Sequence, residues 1–158
     1  MNPPKVGLVL STLNAMPHLK DAFESIKKTK YKNLKIIVKD GKSNDNTLNY
    51  LNKQKKYFDI DIVSSLDKGV GEAYSKALKR IEGCDYVSII SADEMLKPNF
   101  FEIHLELFKK NPYALAIYGS VMLINPKKGT ETIFEPGAFS LKKILSCETV
   151  PPISTCMF

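Results

Sequence analysis

Acidic side chains follow three apolar segments of this 158-residue chain, and each segment has the length of a β-strand. The acids and the runs before them are Asp40 after Leu34–Val38, Asp67 after Ile60–Val63, and Asp93 with Glu94 after Tyr86–Ile90. In an open α/β sheet, ligands bind outside the carboxyl ends of the strands. A carboxylate at the mouth of a buried strand needs a metal ion, a hydrogen-bonded ligand or a cation as partner. The pattern therefore predicts a polar ligand site at these strand ends.

Strand-like and helix-like segments alternate over about the first 120 residues, which predicts an α/β fold with a mostly parallel sheet. The first predicted strand, Val6–Leu10, precedes the three apolar runs given above. Predicted helices begin at Pro17, at about Asn46, at Val70 and at Pro98.

Three finer features complete the predicted elements. The helical apolar spacing that begins at Val70 extends to Ile81, and Gly83 stands where a cap glycine belongs. Leu115–Ile124 predicts a long apolar strand and Thr130–Phe134 a weaker one. Residues 141–145 predict a short helix. Strands follow one another directly from about residue 112, which indicates a different subregion.

The composition is that of one soluble globular domain, with 44% hydrophobic and 25% charged residues. No apolar run approaches the roughly 20 residues that cross a bilayer, and the first residues lack a signal-peptide pattern, so we expect a cytoplasmic location. Three cysteines without a CxxC pair suggest neither a disulfide framework nor a zinc site.

The net charge is +6, and many of the lysines occur in clusters. The clusters are Lys27, Lys28, Lys30, Lys32, Lys35 and Lys39, then Lys53, Lys55 and Lys56, and then Lys142 and Lys143. A solvated surface is the favoured interpretation. The basic surface is also compatible with contact with an anionic membrane leaflet or with a phosphorylated substrate. Aromatic residues do not alternate with these lysines as in single-strand binders, so nucleic acid is not an expected partner.

The stretch VKDGKSNDNT, residues 38–47, ends the second strand and opens the second helix. Gly41 allows a sharp turn, and Ser43, Asn44 or Asp45 can cap the helix. Asp40 precedes the turn and has two interpretations. Its carboxylate either accepts hydrogen bonds from a nucleoside base edge or ribose, or it is a second turn acid.

Four strings occur in one order: STLN, DGKSNDNT, SLDKGVGEAYSKAL and SADE. Together they resemble the family-2 inverting glycosyltransferases, whose usual strings are close to DGSSTDGT, E-x-DKGIYDAMNKG and NADD or DADD. The resemblance covers residues 5 to about 120, and the bacterial capsular, colanic-acid and exopolysaccharide enzymes are the most similar type. It implies a GT-A fold, with helices on both faces of a mostly parallel sheet.

The resemblance implies a nucleotide-sugar donor, with a UDP-sugar favoured. Thr12 and Asp40 would line the uracil or nucleoside pocket. Asp67 would lie near the ribose and diphosphate, and Lys68 would help to neutralise phosphate unless it is a solvated lysine. The expected acceptor is a sugar or a lipid-linked sugar in cell-surface polysaccharide synthesis.

The string SADE corresponds to the family's D-x-D motif, with Ser91 and Ala92 at the donor site. Ser91 replaces the first acid. Asp93 matches the metal-binding acid, and Glu94 is either a second ligand or the first acid of the next helix. A nucleoside diphosphate leaving group and oxygen-only ligands favour Mn²⁺ or Mg²⁺ as the cofactor.

The family's catalytic base lies later in its sequences, so we expect it beyond residue 158 and expect the chain to be truncated. Residues 1–112 would then form the nucleotide-sugar-binding half and residues 113–158 an incomplete acceptor-side half of a single domain. His18 and His104 are each given a structural role. The apolar tail at residues 150–158 predicts either a homo-oligomer contact or a missing continuation.

Three hypotheses follow from these observations. The first is an inverting sugar transferase that uses a metal ion. The second is a truncated or degenerate nucleotide-sugar-binding module without transfer activity. The third is another α/β nucleotide enzyme, which is disfavoured because the first strand turn lacks G-x-G-x-x-G and the chain has no P-loop.

Overall fold

The computed structural model describes residues 2–138, 140, 142, 146 and 151–158. Its centre is a parallel sheet of four strands in the order β3-β2-β1-β4. The strands are β1 (Val6–Thr12), β2 (Leu34–Asp40), β3 (Asp59–Ser64) and β4 (Tyr86–Ser91). The alternating pattern therefore predicted the α/β class and the parallel sheet correctly.

Helices cover both faces of this sheet. They are α1 (His18–Lys28), α2 (Thr47–Gln54), α3 (Val70–Leu78) and α4 (Phe100–Lys110). Alternate strand residues such as Leu8 and Ile36 join α1, α2 and α4 in one core cluster, while Val9 and Ile37 join α3 in another. Because β1 and β2 are buried on both faces, their sequences are nearly continuous apolar runs.

The register of the sheet determines which residues lie together at the strand ends. Thr12 of β1 pairs with Asp40 of β2, and Asp40 pairs with Ser64 of β3. On the other side of β1, Ser11 pairs with Ser91 of β4. The chain runs from β1 to β2 and β3 and then crosses to β4 on the opposite side of β1, so the strand order reverses between β1 and β4. Ligands of open α/β sheets bind at such a reversal.

Two short antiparallel strands, β5 (Val121–Asn125) and β6 (Thr130–Phe134), form a separate hairpin. The long strand predicted over Leu115–Ile124 is therefore wrong in its first half, where Ile117 makes only an isolated bridge to Met157. Gly119 and Ser120 interrupt the apolar run before β5 begins, and a glycine within a strand pattern often marks such a break. The short helix predicted at residues 141–145 lies outside the described residues, which include only Lys142 of that range.

The third helix ends earlier than its apolar spacing predicted. Its last residue is Leu78 and its C-cap is Lys79, not Gly83. Gly83 has a φ of 78° and turns the chain between α3 and β4, a conformation that favours glycine. The apolar spacing continued to Ile81 because that side chain packs against the α3 core cluster from the loop.

The C-terminal tail packs along the outer edge of β4, and the homo-oligomer contact or continuation expected for it stays a prediction. Val87 and Phe158 exchange two backbone hydrogen bonds of 2.9 Å. Met157 is 0% exposed and bridges Ser88 and Ile117. The tail thus covers an edge strand that would otherwise present unpaired backbone groups.

Among the described residues, no helix is long and apolar enough to cross a membrane.

Replacing Met157 with alanine tests the packing of this tail. We expect a loss of about 2–5 kcal/mol in the free energy of unfolding, because a fully buried side chain leaves a cavity. The matched control is Ile153→Ala, at a position that is 47% exposed, with an expected loss below about 1 kcal/mol. Urea unfolding of both variants measures the difference, and equal losses would contradict the observed packing.

Candidate functional site

A cavity of about 290 Å³ opens between the carboxyl ends of β1 and β4. Its lining residues come from the β1–α1 loop and the segment after β4: Ser11, Leu13, Asn14, Ala15, His18, Ser91, Ala92 and Asp93. This is the point where the strand order reverses. A larger concavity of about 610 Å³ lies on the β5–β6 hairpin, but no acidic residue of the described part of the chain lines it. The position at the strand-order reversal and the acidic lining therefore favour the cavity between β1 and β4 as the ligand site.

Asp93 supplies an exposed carboxylate to this cavity. In the described part of the chain it has neither a hydrogen bond nor an ion pair. Glu94 is half-buried, and its Oε2 accepts the backbone N–H of Ser91 at 2.6 Å. It thereby stabilises the turn that presents Ser91, Ala92 and Asp93.

The donor set fits a hard divalent cation only in part. Asp93 offers carboxylate oxygen, which Mg²⁺ and Mn²⁺ prefer. Within the described ranges, no group of three or more histidine, cysteine, aspartate or glutamate side chains could hold a metal ion. A cation beside Asp93 would therefore need further oxygen ligands from a bound molecule.

The loop after β2 fixes the wall of the cavity. The Asn14 N–H donates to Ser43 Oγ at 2.8 Å, and the Asn44 N–H donates to Asn14 Oδ1 at 2.9 Å. The Ala15 N–H donates to Thr47 Oγ1 at 2.9 Å. The polar residues of DGKSNDNT thus hold the β1–α1 loop in place.

Asp45 links the two loops and the start of α2. Its Oδ1 accepts the Thr47 N–H at 2.9 Å, and its Oδ2 accepts the Met16 N–H at 3.1 Å. The N-cap position itself is Asn46, whose side chain makes no capping bond. Of the three predicted capping residues, Asp45 therefore satisfies a backbone donor of the first turn.

Asp40 is 0% exposed, and its carboxylate accepts five hydrogen bonds from the described residues. Thr12 Oγ1 donates at 3.2 Å and Ser64 Oγ at 2.7 Å, which follows from their register with Asp40. The hydroxyl and N–H of Ser43 and the N–H of Lys42 complete the set. The bonds from Lys42 and Ser43 are those of a turn acid, and the bonds from Thr12 and Ser64 join Asp40 to the neighbouring strands.

The hydrogen bonds also determine the protonation of Asp40. Burial raises the pKa of this carboxyl, but the bonds from Ser43, Ser64 and Thr12 outweigh burial and bring the pKa below its usual value. Asp40 is therefore a carboxylate at neutral pH.

Lys39 is a site residue that the sequence interpretation missed, because it was counted among the surface lysines. Its side chain is 0% exposed. The Nζ donates to the Asp67 carboxylate at 2.6 Å, and to the carbonyl oxygens of Asp40 and Ser65 at 2.8 and 2.5 Å. The hydrogen bond from Lys39 is the main reason why the pKa of Asp67 is lowered. The sequence did indicate burial of Lys39, because the residue lies between Val38 and Asp40 in a strand that is covered on both faces.

The structure places the predicted site residues in three groups. Ser91, Ala92 and Asp93 line the cavity, with Glu94 bonded just behind them. Thr12 and Asp40 lie at the adjacent strand ends, joined to each other. Asp67 and Lys68 lie on the β3–α3 loop and do not line the cavity.

The two histidines differ in their surroundings. His104 is buried, with its ring nitrogens 2.8 and 2.9 Å from the carbonyl oxygens of Phe100 and Thr155, so it has the structural role predicted for it. His18 is exposed and lines the cavity beside Asn14, a position that the sequence interpretation did not predict.

Residues 8–156 match the family model of Glycosyl transferase family 2. The chain therefore belongs to glycosyl transferase family 2, and the resemblance seen in its motifs is confirmed.

Similar curated proteins carry glycosyltransferase or synthase names. The poly-beta-1,6-N-acetyl-D-glucosamine synthase of Staphylococcus epidermidis is 26% identical over 76% of this chain and 29% of its own length. Chondroitin synthase of Escherichia coli is 25% identical over 73% of this chain and 17% of its own length. An uncharacterised glycosyltransferase of Haemophilus influenzae is 26% identical over 80% of this chain and 40% of its own length. The chain thus spans less than half the length of these relatives.

Solved structures share the fold. The mannosyltransferase PcManGT from Pyrobaculum calidifontis, in complex with GDP-Man and Mn²⁺, has a TM-score of 0.68 and 16% identity, covering 96% of this chain and 48% of that chain. S. aureus TarS 1-349 in complex with UDP-GlcNAc has a TM-score of 0.64 and 18% identity, covering 76% of this chain and 33% of that chain. The GT-A fold implied by the motifs is confirmed.

Replacing Asp40 with asparagine tests its role at the strand ends. We expect a loss of about 2–4 kcal/mol in the free energy of unfolding at pH 7, because the amide N–H₂ would face hydrogen-bond donors. The folded pKa of Asp40 lies below the unfolded value of about 3.9, so its contribution is complete above that value and is lost as pH falls through the folded pKa. The difference from wild type should be constant from about pH 7 to 5 and shrink below about pH 4.

Urea unfolding across this pH range measures the effect. The control is Asp93→Asn, which removes an exposed carboxylate and should change stability by less than about 0.5 kcal/mol. A loss for Asp40→Asn no larger than for this control would show that the five hydrogen bonds do not stabilise the strand ends.

Proposed function

We propose that this chain is the donor-binding part of a family-2 glycosyltransferase that moves a sugar from a nucleoside diphosphate to an acceptor hydroxyl, with inversion. The observation that carries the proposal is the cavity at the strand-order reversal, with the exposed Asp93 carboxylate at its edge. Family membership supports it, as do proteins of the same fold that were solved in complex with UDP-GlcNAc and GDP-Man.

In this proposal Asp93 holds a divalent cation, Mn²⁺ or Mg²⁺, together with diphosphate oxygens. Bound there, the cation would neutralise charge on the leaving diphosphate. Glu94 orients the turn through its bond to Ser91 and offers its other oxygen as a second ligand. Ser91 and Ala92 contribute the cavity wall against which the donor lies.

Thr12 and Asp40 shape the nucleoside side of the site. Since the Asp40 oxygens already accept five hydrogen bonds, a base edge or ribose would have to replace one of these donors or share its oxygen. Asp67 and Lys68 would contact the ribose and diphosphate from the β3–α3 loop. A UDP-sugar is the favoured donor, and the acceptor is a sugar or lipid-linked sugar of a cell-surface polysaccharide. We assign no described residue as the catalytic base.

A second candidate is a nucleotide-sugar-binding module without transfer activity. Ser91 stands in place of an acid, and one Glu94 oxygen is already bonded to the backbone, so the chain supplies few free carboxylate oxygens for a cation. Nucleotide binding without release of UDP from any UDP-sugar would favour this candidate. Turnover with any acceptor would exclude it.

Calorimetric titration with UDP tests the donor site. We expect wild-type protein to bind UDP more tightly with Mn²⁺ than without it. Asp93→Ala should weaken the Mn²⁺-dependent binding at least about 10-fold, because the cation loses its carboxylate ligand. The matched control is Asp59→Ala, which removes the same charge at the start of β3, away from the cavity, and should change affinity less than about 2-fold.

Binding with and without Mn²⁺, and binding by wild type and by Asp93→Ala, are the two comparisons that decide the outcome. Binding that is equal with and without Mn²⁺ and unaffected by Asp93→Ala would contradict the assignment of Asp93. Absence of UDP binding in every condition would contradict the UDP-sugar proposal, and titration with GDP would then test the other nucleotide found among the fold neighbours.

A further inference from the structure

Lys39 is the feature that the proposed reaction leaves unexplained. Its ammonium is buried beneath the β3–α3 loop, and a buried unpaired ammonium costs several kcal/mol. An ammonium has three N–H donors, and Lys39 has three acceptors: the Asp67 carboxylate and two backbone carbonyls. Every donor is satisfied, and one formal negative charge balances the positive one.

Two of these three bonds tie the end of β2 to the loop that precedes α3. Asp40 and Lys39 are neighbours in the strand, while Ser65 and Asp67 lie in the loop. The loop is also held from α3, since Glu72 accepts the Lys68 N–H at 2.6 Å and Lys76 donates to the Leu66 carbonyl at 2.8 Å. The bond from Lys39 is the one that reaches the Asp67 side chain from within the sheet.

Asp67 has one oxygen turned to Lys39 and the other to the backbone. Its Oδ1 accepts the Gly69 N–H at 3.2 Å, and the side chain is 16% exposed. The Lys39 ammonium therefore fixes the direction of the carboxylate and neutralises it, while part of the Asp67 side chain stays exposed to solvent. An uncompensated carboxylate there would repel a diphosphate.

We infer that Lys39 is a positioning residue for the nucleotide donor, which fixes the Asp67 carboxylate and cancels its charge so that a nucleoside diphosphate can bind beside it. This inference rests on the proposed function, because it takes Asp67 to lie at the donor. Lys39 does not contact the donor itself and acts through Asp67.

UDP titration of Lys39 variants tests this inference. We expect Lys39→Met to raise the Kd for UDP at least about 10-fold. In the Asp67→Asn background, where no charge needs to be cancelled, the same substitution should raise Kd less than about 3-fold. A role of Lys39 that does not act through Asp67 would give the same factor in both backgrounds.

Lys35→Met is the matched control. Lys35 lies on the same strand and the same face, and its Nζ donates to the Arg80 carbonyl at 2.8 Å, near the opposite end of the sheet. This variant should change the Kd for UDP less than about 2-fold. If it weakens binding as much as Lys39→Met, loss of any lysine on this face of β2 has the same effect and the inference fails.

Lys39→Gln keeps two N–H donors without the charge, and it replaces Lys39→Met in the UDP titration if the methionine variant does not fold. Amide hydrogen exchange over residues 64–70, measured without nucleotide, gives a second readout. We expect exchange there to become at least about 10-fold faster in Lys39→Gln and unchanged in Lys35→Met. Unchanged exchange in Lys39→Gln would overturn the claim that Lys39 fixes the loop.

The outcomes also separate this inference from the proposed function. If wild type binds UDP, Asp67→Ala weakens binding and Lys39→Met does not, the inference fails while the donor site stands. If wild type binds neither UDP nor GDP, the donor proposal fails, and the role of Lys39 in donor binding fails with it.

Discussion

The buried carboxylate of Asp40 is the group on which the geometry of the site depends. It joins the ends of three strands, because the parallel register places Thr12 and Ser64 on either side of it. It also folds the next loop back through the N–H groups of Lys42 and Ser43. A carboxylate removed from water is stable only when its oxygens accept hydrogen bonds, so the loop has little freedom while Asp40 stays ionised.

The effect of this constraint extends to the cavity through successive hydrogen bonds. Ser43 bonds Asp40 and also accepts the Asn14 N–H, and Asn14 lines the cavity. On the other face of β2, Lys39 holds the β3–α3 loop through Asp67. Two adjacent strand residues of opposite charge thus fix the two loops that follow β2 and β3. The remaining wall, with Asp93, comes from β4 and depends on Glu94.

Much of this arrangement could be predicted from the sequence, because apolar runs and capping residues report local structure. Such patterns predict the four strands of the sheet and their parallel arrangement, and they place Asp93 at the strand end where the cavity lies. The contacts that bury Lys39 and Met157 could not be predicted in the same way. Each depends on a partner distant in the chain, Asp67 for the lysine and β4 for the methionine. The early end of α3 was missed because Ile81 packs like a helical residue from a loop.

The most direct test of the central claim is a crystal structure of the protein with UDP and Mn²⁺. We predict that the diphosphate lies between the carboxyl ends of β1 and β4, with a metal ion bonded to the Asp93 carboxylate. Nucleotide bound instead in the concavity of the β5–β6 hairpin, with the β1–β4 cavity empty, would contradict the account.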